Sequence, residues 1–123
     1  MSVGEKTIKE KSFLFAVQII KVYKFLIEQK KEYVLSKQIL KSGTSIGAMA
    51  REAQNAESTA DFIHKLGIAQ KECDETIYWL ELLKETEYLK SEEFEMLFFK
   101  ANELLKMIRS AIITTKQKLH NKL

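Results

Sequence analysis

Residues 42–53, Ser-Gly-Thr-Ser-Ile-Gly-Ala-Met-Ala-Arg-Glu-Ala, set the tightest constraint on the fold, because they put two glycines inside a segment whose surroundings read as helix. Each glycine costs a helix interior about 1 kcal/mol relative to Ala. Two in successive turns mark a packing requirement that a side chain would violate. Gly43, Gly47 and Ala50 fall on one helical face and, with Ser42, define a seam along which another helix is expected to come close. Ser42, Thr44 and Ser45 are expected to bond back to carbonyls one turn earlier, which leaves them no need of a ligand. The stretch does not read as a phosphate loop, which needs Gly-x-x-x-x-Gly-Lys-Ser/Thr between a strand and a helix.

The rest of the chain agrees with helix. It has no proline and only four glycines in 123 residues, so long helices are favoured over short, turn-linked strands. A first helix is predicted from about Lys11 to Gln29. Its apolar residues, Phe13 through Ile27, are interrupted only by Gln18, Lys21 and Lys24, with Glu28 beyond. A surface helix needs an apolar arc only somewhat over a quarter of its circumference, so this one is expected to be covered on two sides. A second helix runs from Tyr33 or Leu35 to Ala56. Ser58 with Asp61 caps a third to about Glu85, whose core stripe is Phe62, Leu66, Ala69, Cys73, Ile77, Leu80 and Leu83, widened by Ile63, Tyr78, Trp79 and Leu82. Ser91, followed by Glu92 and Glu93, caps a fourth that reaches Lys116 or further. Short links between long helices predict an all-α protein, a single-domain antiparallel up-down-up-down four-helix bundle over residues 1–123. The surplus apolar surface, assigned to helices 1 and 3, predicts self-association.

Charge bears on partners. The net charge is only +3, yet residues 1–51 carry +6, residues 52–103 carry −8 and residues 104–123 carry +5. Such segregation serves either pairing between oppositely charged helices or a basic surface for an anionic partner. Lys21, Lys24, Lys37, Lys41 and Arg51 on helices 1 and 2, with Lys106, Arg109 and Lys116 on helix 4, are the candidate phosphate contacts, for RNA or DNA without base reading. In a ring each patch repeats around the axis, so modest contacts multiply.

No catalytic, metal or cofactor site is expected. Ferritin-like metal chemistry needs Glu residues and Glu-x-x-His pairs on facing helices, whereas only Asp61-x-x-His64 is loosely similar. Small helical ribonucleases place a His four to six residues after an Arg; here His64 and His120 follow Arg51 and Arg109 by thirteen and eleven residues. Cys73 is alone, so no disulfide framework is built within one chain. No window approaches a membrane span and the N-terminal stretch is charged, so a cytoplasmic location is expected.

Several strings resemble those of one family: Ser42-Gly43-Thr44-Ser45-Ile46-Gly47-Ala48 with Glu52-Ala53, then Asp61-Phe62-Ile63-His64-Lys65-Leu66, Ala69-x-Lys71-Glu72, and Glu75-Thr76-x-Tyr78-Trp79-Leu80. Between Phe13 and Ile113 the chain resembles the 23S rRNA intervening-sequence protein family, also called the four-helix-bundle protein family, related to the accessory variability proteins of diversity-generating retroelements. The resemblance implies a four-helix protomer, commonly in a homopentameric ring, with a proposed role in nucleic-acid binding and no established catalysis. Some members are encoded within insertions in ribosomal RNA genes, while others stand alone. The accessory variability relatives are strongly basic partners of a reverse transcriptase, a charge this chain does not share. The expectation is therefore a non-catalytic, self-associating bundle, a homo-oligomer expected to be a pentamer, that binds nucleic acid. The alternative is a protein-interaction scaffold, a ring whose acidic helix 3 meets a protein partner.

Overall fold

The computed structural model describes residues 6–122; residues 1–5 and 123, part of the expected 1–123 domain and of the charged N-terminal run, lie outside the described residues. Four helices follow one another, α1 Ile8–Glu28, α2 Leu35–Gln54, α3 Thr59–Glu85 and α4 Ser91–Asn121, and among the described residues there is no strand.

Each start has its own device. α1 begins three residues before Lys11 because Thr7 and Glu10 form a reciprocal capping box: the Thr7 hydroxyl accepts from Glu10 N–H at 3.1 Å, and the Glu10 carboxylate accepts from Thr7 N–H at 3.0 Å. α2 has no side-chain cap on Val34. Instead the Glu32 carboxylate accepts the backbone N–H groups of Val34, Leu35 and Ser36 at 3.2, 3.0 and 2.7 Å. Those donors would otherwise be orphans of the first turn. Ser58 accepts from Asp61 N–H at 3.0 Å and starts α3. Ser91 does not cap α4: the chain turns helical one residue sooner, at Ser91 itself, and the cap position falls to Lys90, whose side chain makes no capping bond. Glu92 and Glu93 still put negative charge in that first turn. α3 ends in a Schellman turn, Tyr88 N–H to the Leu83 carbonyl at 2.8 Å and Glu87 N–H to Lys84 at 3.0 Å. That closure holds Glu87 at φ 67, where glycine is usual.

Contacts between neighbours run in opposite order along the two chains. Ser12 and Ile19 of α1 face Gly47 and Gly43 of α2; Glu52 and Ser42 of α2 face Lys65 and Thr76 of α3; Lys84 and Asp74 of α3 face Glu95 and Arg109 of α4. Consecutive helices are therefore antiparallel. α2 packs along α1 and α3, and α3 along α2 and α4, whereas α1 and α4 meet sparsely at Lys11–Glu103 and Gln18–Lys100. The core between them is formed by Phe15, Ile19 and Leu26 of α1, Ile39 and Ile46 of α2, Leu66, Cys73, Leu80 and Leu83 of α3, and Leu97, Leu104 and Ile108 of α4.

The small-residue stretch lies at the centre of this packing. Cβ atoms placed on Gly43 would stand 2.7 and 2.8 Å from the Ile19 methyl and methylene carbons, and one on Gly47 3.3 Å from the Ser12 carbonyl oxygen. Ser42, buried on the other flank of α2, shares a 2.9 Å hydrogen bond with the buried Thr76 of α3. Thr44 and Ser45 donate back to Leu40 and Lys41 at 2.7 and 2.6 Å. One sequence expectation is corrected here. Most of the exposed large apolar side chains belong to α1 (Phe13, Leu14, Val17, Ile20) and α4 (Met96, Phe99, Ile113, Leu119), with Tyr33 and Val34 in the link before α2, while α3 contributes Tyr78 alone, which lies outside the core stripe it was expected to widen. α3 sits between α2 and α4 and spends its broad stripe on both; α1 and α4 each have one close neighbour and one sparse one.

Candidate nucleic-acid interface

All eight candidate cations are exposed. The antiparallel register sets the C-terminal half of α1 beside the N-terminal half of α2, so Lys21, Lys24, Lys37 and Lys41 share one end of the α1–α2 layer. Along α2, Lys37, Lys41, Thr44, Ala48 and Arg51 recur at spacings of three and four on the side opposite Ile39, Ile46 and Ala50, which are buried. Arg51 thus lies on the same outer face at the far end, where it lines a cleft with Lys6, Lys9 and Phe13.

Lys106, Arg109 and Lys116 do not join that face. They ride on α4, where Arg109 lies 4.0 Å from Asp74 of α3 and Lys106 lines a groove with Ile8, Met107 and Thr114. The eight candidates therefore fall into two groups, one on α1 and α2 and one on α4. Among the described residues, Arg109 is the one member of the eight with a carboxylate within 4.0 Å. The acidic middle of the sequence pairs instead with other lysines, Lys11 to Glu103 at 2.9 Å and Lys65 to Glu52 at 3.1 Å. The Glu52 hydrogen bond raises the Lys65 pKa above its ordinary value.

The carboxylates on the α1–α2 face are largely engaged. Hydrogen bonds from Thr7 backbone and hydroxyl hold Glu10 below its ordinary pKa. Partial burial pushes Glu32 upward, but the backbone donors Leu35, Ser36 and Val34 outweigh it and leave this carboxyl below its ordinary value too. Both carboxylates are thus held ionised, with backbone and hydroxyl donors rather than the neighbouring lysines as their partners.

Sequence reasoning missed Lys6, Lys9, Lys11 and Lys100. Lys6, Lys11 and Lys100 line a cleft of about 170 Å³ between α1 and α4 with Leu14, Phe15 and Glu103. The signal was the Thr7-x-x-Glu10 capping box, which carries α1 back far enough to set Lys9 opposite Arg51.

The other chemistry-bearing groups have structural partners. Asp61 accepts from Glu57 N–H at 3.2 Å, and His64 is exposed. His120 lies in the last turn of α4. Cys73 is buried and donates to the Ala101 carbonyl at 3.1 Å; burial pushes its thiol up to about 12, so it packs as a protonated apolar group. Among the described residues no group of three or more His, Cys, Asp or Glu is placed to hold a metal ion, and no helix is long and apolar enough to cross a membrane.

Residues 5–110 match the family model described as 23S rRNA-intervening sequence protein. A solved crystal structure is similar at 55% sequence identity and TM-score 0.85, covering 86% of this chain and 98% of that one; it is described as a protein with unknown function from the S23 ribosomal protein family of Bacteroides thetaiotaomicron VPI-5482. No curated protein matches the sequence.

Proposed function

Taking as premise that the chain belongs to the 23S rRNA-intervening sequence protein family, we propose that it is a non-catalytic, self-associating, cytoplasmic protein that binds nucleic acid through its exposed basic residues. The observation that carries this is the group Lys21, Lys24, Lys37 and Lys41, exposed at one end of the α1–α2 layer with no carboxylate within 4.0 Å among the described residues. Unpaired surface cations held in fixed relative positions by packed helices suit phosphates, and they carry no base specificity. Self-association, with a pentameric ring as the expected form, is supported by Leu14 on α1 and Met96, Phe99 and Ile113 on α4, which are 46–68% exposed on the two helices that each have only one close neighbour. Apolar residues so concentrated mark an interaction surface.

Charge reversal separates contact from structure. Lys37→Glu with Lys41→Glu is expected to abolish RNA or DNA binding in an anisotropy titration while sedimentation stays unchanged. Lys106→Glu with Arg109→Glu is expected to weaken binding less, because Arg109 already answers Asp74. A second reading is favoured by the exposed carboxylates Asp74, Glu75, Glu81 and Glu85 of α3: a scaffold ring that meets a basic protein partner. Loss of assembly in the Lys106/Arg109 variant, together with undetectable nucleic-acid binding by the parent protein at low salt, decides for that reading.

A further inference from the structure

Phe13 is 55% exposed, in a protein whose other phenylalanines except Phe99 are buried or half-buried. It lines a cleft of about 330 Å³ between α1 and α2 with Ala16, Gly47 and Ala48, residues too small to cover a phenyl ring. The adjoining cleft, of about 350 Å³, adds Lys6, Glu10 and Leu14, and Lys9, Phe13 and Arg51 border both. Two carboxylates also line these clefts, Glu52 the first and Glu10 the second; Glu10 is engaged in the α1 cap and Glu52 is paired with Lys65. The result is one open aromatic ring, a small-residue groove and three cations of one sign. Val17 and Ile20 continue the apolar stripe from Phe13 at helical spacing, and Lys24 follows them. From Lys9 to Lys24 the axis advances about 22 Å at the usual rise of about 1.5 Å per residue.

We propose that the outer groove between α1 and α2 is a track for single-stranded nucleic acid, in which an unpaired base stacks on Phe13 while Lys6, Lys9 and Arg51 hold the flanking phosphates. This rests on the nucleic-acid reading above and narrows it. A duplex hides its base faces, so it has no use for an exposed ring between basic ends. A single strand offers phosphates and base faces together, the combination that aromatic platforms in positively charged grooves accept. The net positive rim, three cations against two carboxylates already engaged by other partners, also argues for a polyanion over the bare apolar face of a second copy.

The test compares the parent protein with Phe13→Ala and Phe13→Trp, using an unstructured RNA of about 12 nucleotides, its DNA counterpart and the matching duplex, lengths within the usual single-strand site range. Phe13→Ala is expected to lose roughly tenfold in affinity for the single strands, with duplex binding and salt slope unchanged, and Phe13→Trp to restore it. An equal loss for RNA and DNA assigns the contact to the base; a loss confined to RNA assigns it to the ribose edge and overturns stacking. If Phe13→Ala binds single strands like the parent while Lys37→Glu with Lys41→Glu does not bind, the stacking track is wrong and the nucleic-acid reading stands. If the parent binds no nucleic acid at low salt, both fail. If Phe13→Ala changes the sedimenting species, the groove is a contact between copies and the track is overturned.

Discussion

Replacing Gly43 by alanine adds one carbon and should be among the most damaging small changes available to this protein. The new Cβ would stand 2.7 and 2.8 Å from two carbons of Ile19, about 1 Å inside the optimal carbon–carbon separation of about 3.5–4.0 Å. Ile19 is fully buried, and the carbons struck lie at or next to its Cβ, so rotation at the far end of the side chain gives no relief. Either α1 and α2 separate or the core around Ile19 shifts. Overpacking of this kind costs about 1–3 kcal/mol, and the absence of give argues for the upper end. Against it stands a gain of about 1 kcal/mol from helix propensity. The net is about 2 kcal/mol of lost stability. Gly67 is the internal control: a Cβ there meets nothing within 4 Å, so Gly67→Ala should keep the propensity gain and stabilise by about 0.5–1 kcal/mol. Urea unfolding followed by circular dichroism, at one fixed protein concentration because assembly adds to apparent stability, should separate the two variants by about 3 kcal/mol. The double variant Gly43→Ala with Ile19→Ala should cost less than the sum of its parts, since the added methyl fills part of the cavity left by the isoleucine. A Gly43→Ala protein as stable as Gly67→Ala would refute the close-crossing argument.

Three further outcomes follow from single residues. Glu32→Ala removes the cap of α2 and is expected to cost about 1 kcal/mol at neutral pH; because the Glu32 pKa is depressed on folding, its contribution is complete above the ordinary value of 4.5 and disappears as pH falls through the lower folded value, so the gap between parent and variant should close in acid. Glu87→Gly relieves a left-handed residue at the end of α3 and should raise the unfolding midpoint by up to about 1 kcal/mol in stability, unless the Schellman turn is not formed. Phe99→Glu changes a residue 68% exposed, so the helical signal should survive while the sedimenting species becomes smaller; an unchanged species would remove α4 from the assembly surface.

Much of the architecture was legible because it rests on periodicity. The stripe from Phe62 to Leu83 is buried at Leu66, Ala69, Cys73, Leu80 and Leu83, and the glycine pair lies where α2 comes close to Ser12 and Ile19 of α1. Helix starts were less legible, since capping depends on which side chain reaches back. Glu32 looked like part of a polar link, yet it satisfies three backbone donors from two to four residues away. Ser91 carried the right residue type one position too late. The surplus apolar surface was misassigned to helix 3 because a stripe's width says how much surface a helix covers, not how many neighbours it has. For the same reason the basic residues were identified one by one but their grouping was not: whether Lys24 and Lys106 share a face depends on which helices touch, and α1 and α4 scarcely do.

The account turns on phosphates being held by the α1–α2 cations, and a salt titration tests that most directly. The affinity of the assembled protein for a short single-stranded RNA should fall linearly on logarithmic axes as salt rises, with a slope of about −0.7 for each phosphate neutralised. Lys37→Glu with Lys41→Glu should remove this salt-dependent binding altogether. Undetectable binding at low salt, or binding whose salt slope is the same with and without those two lysines, would contradict it.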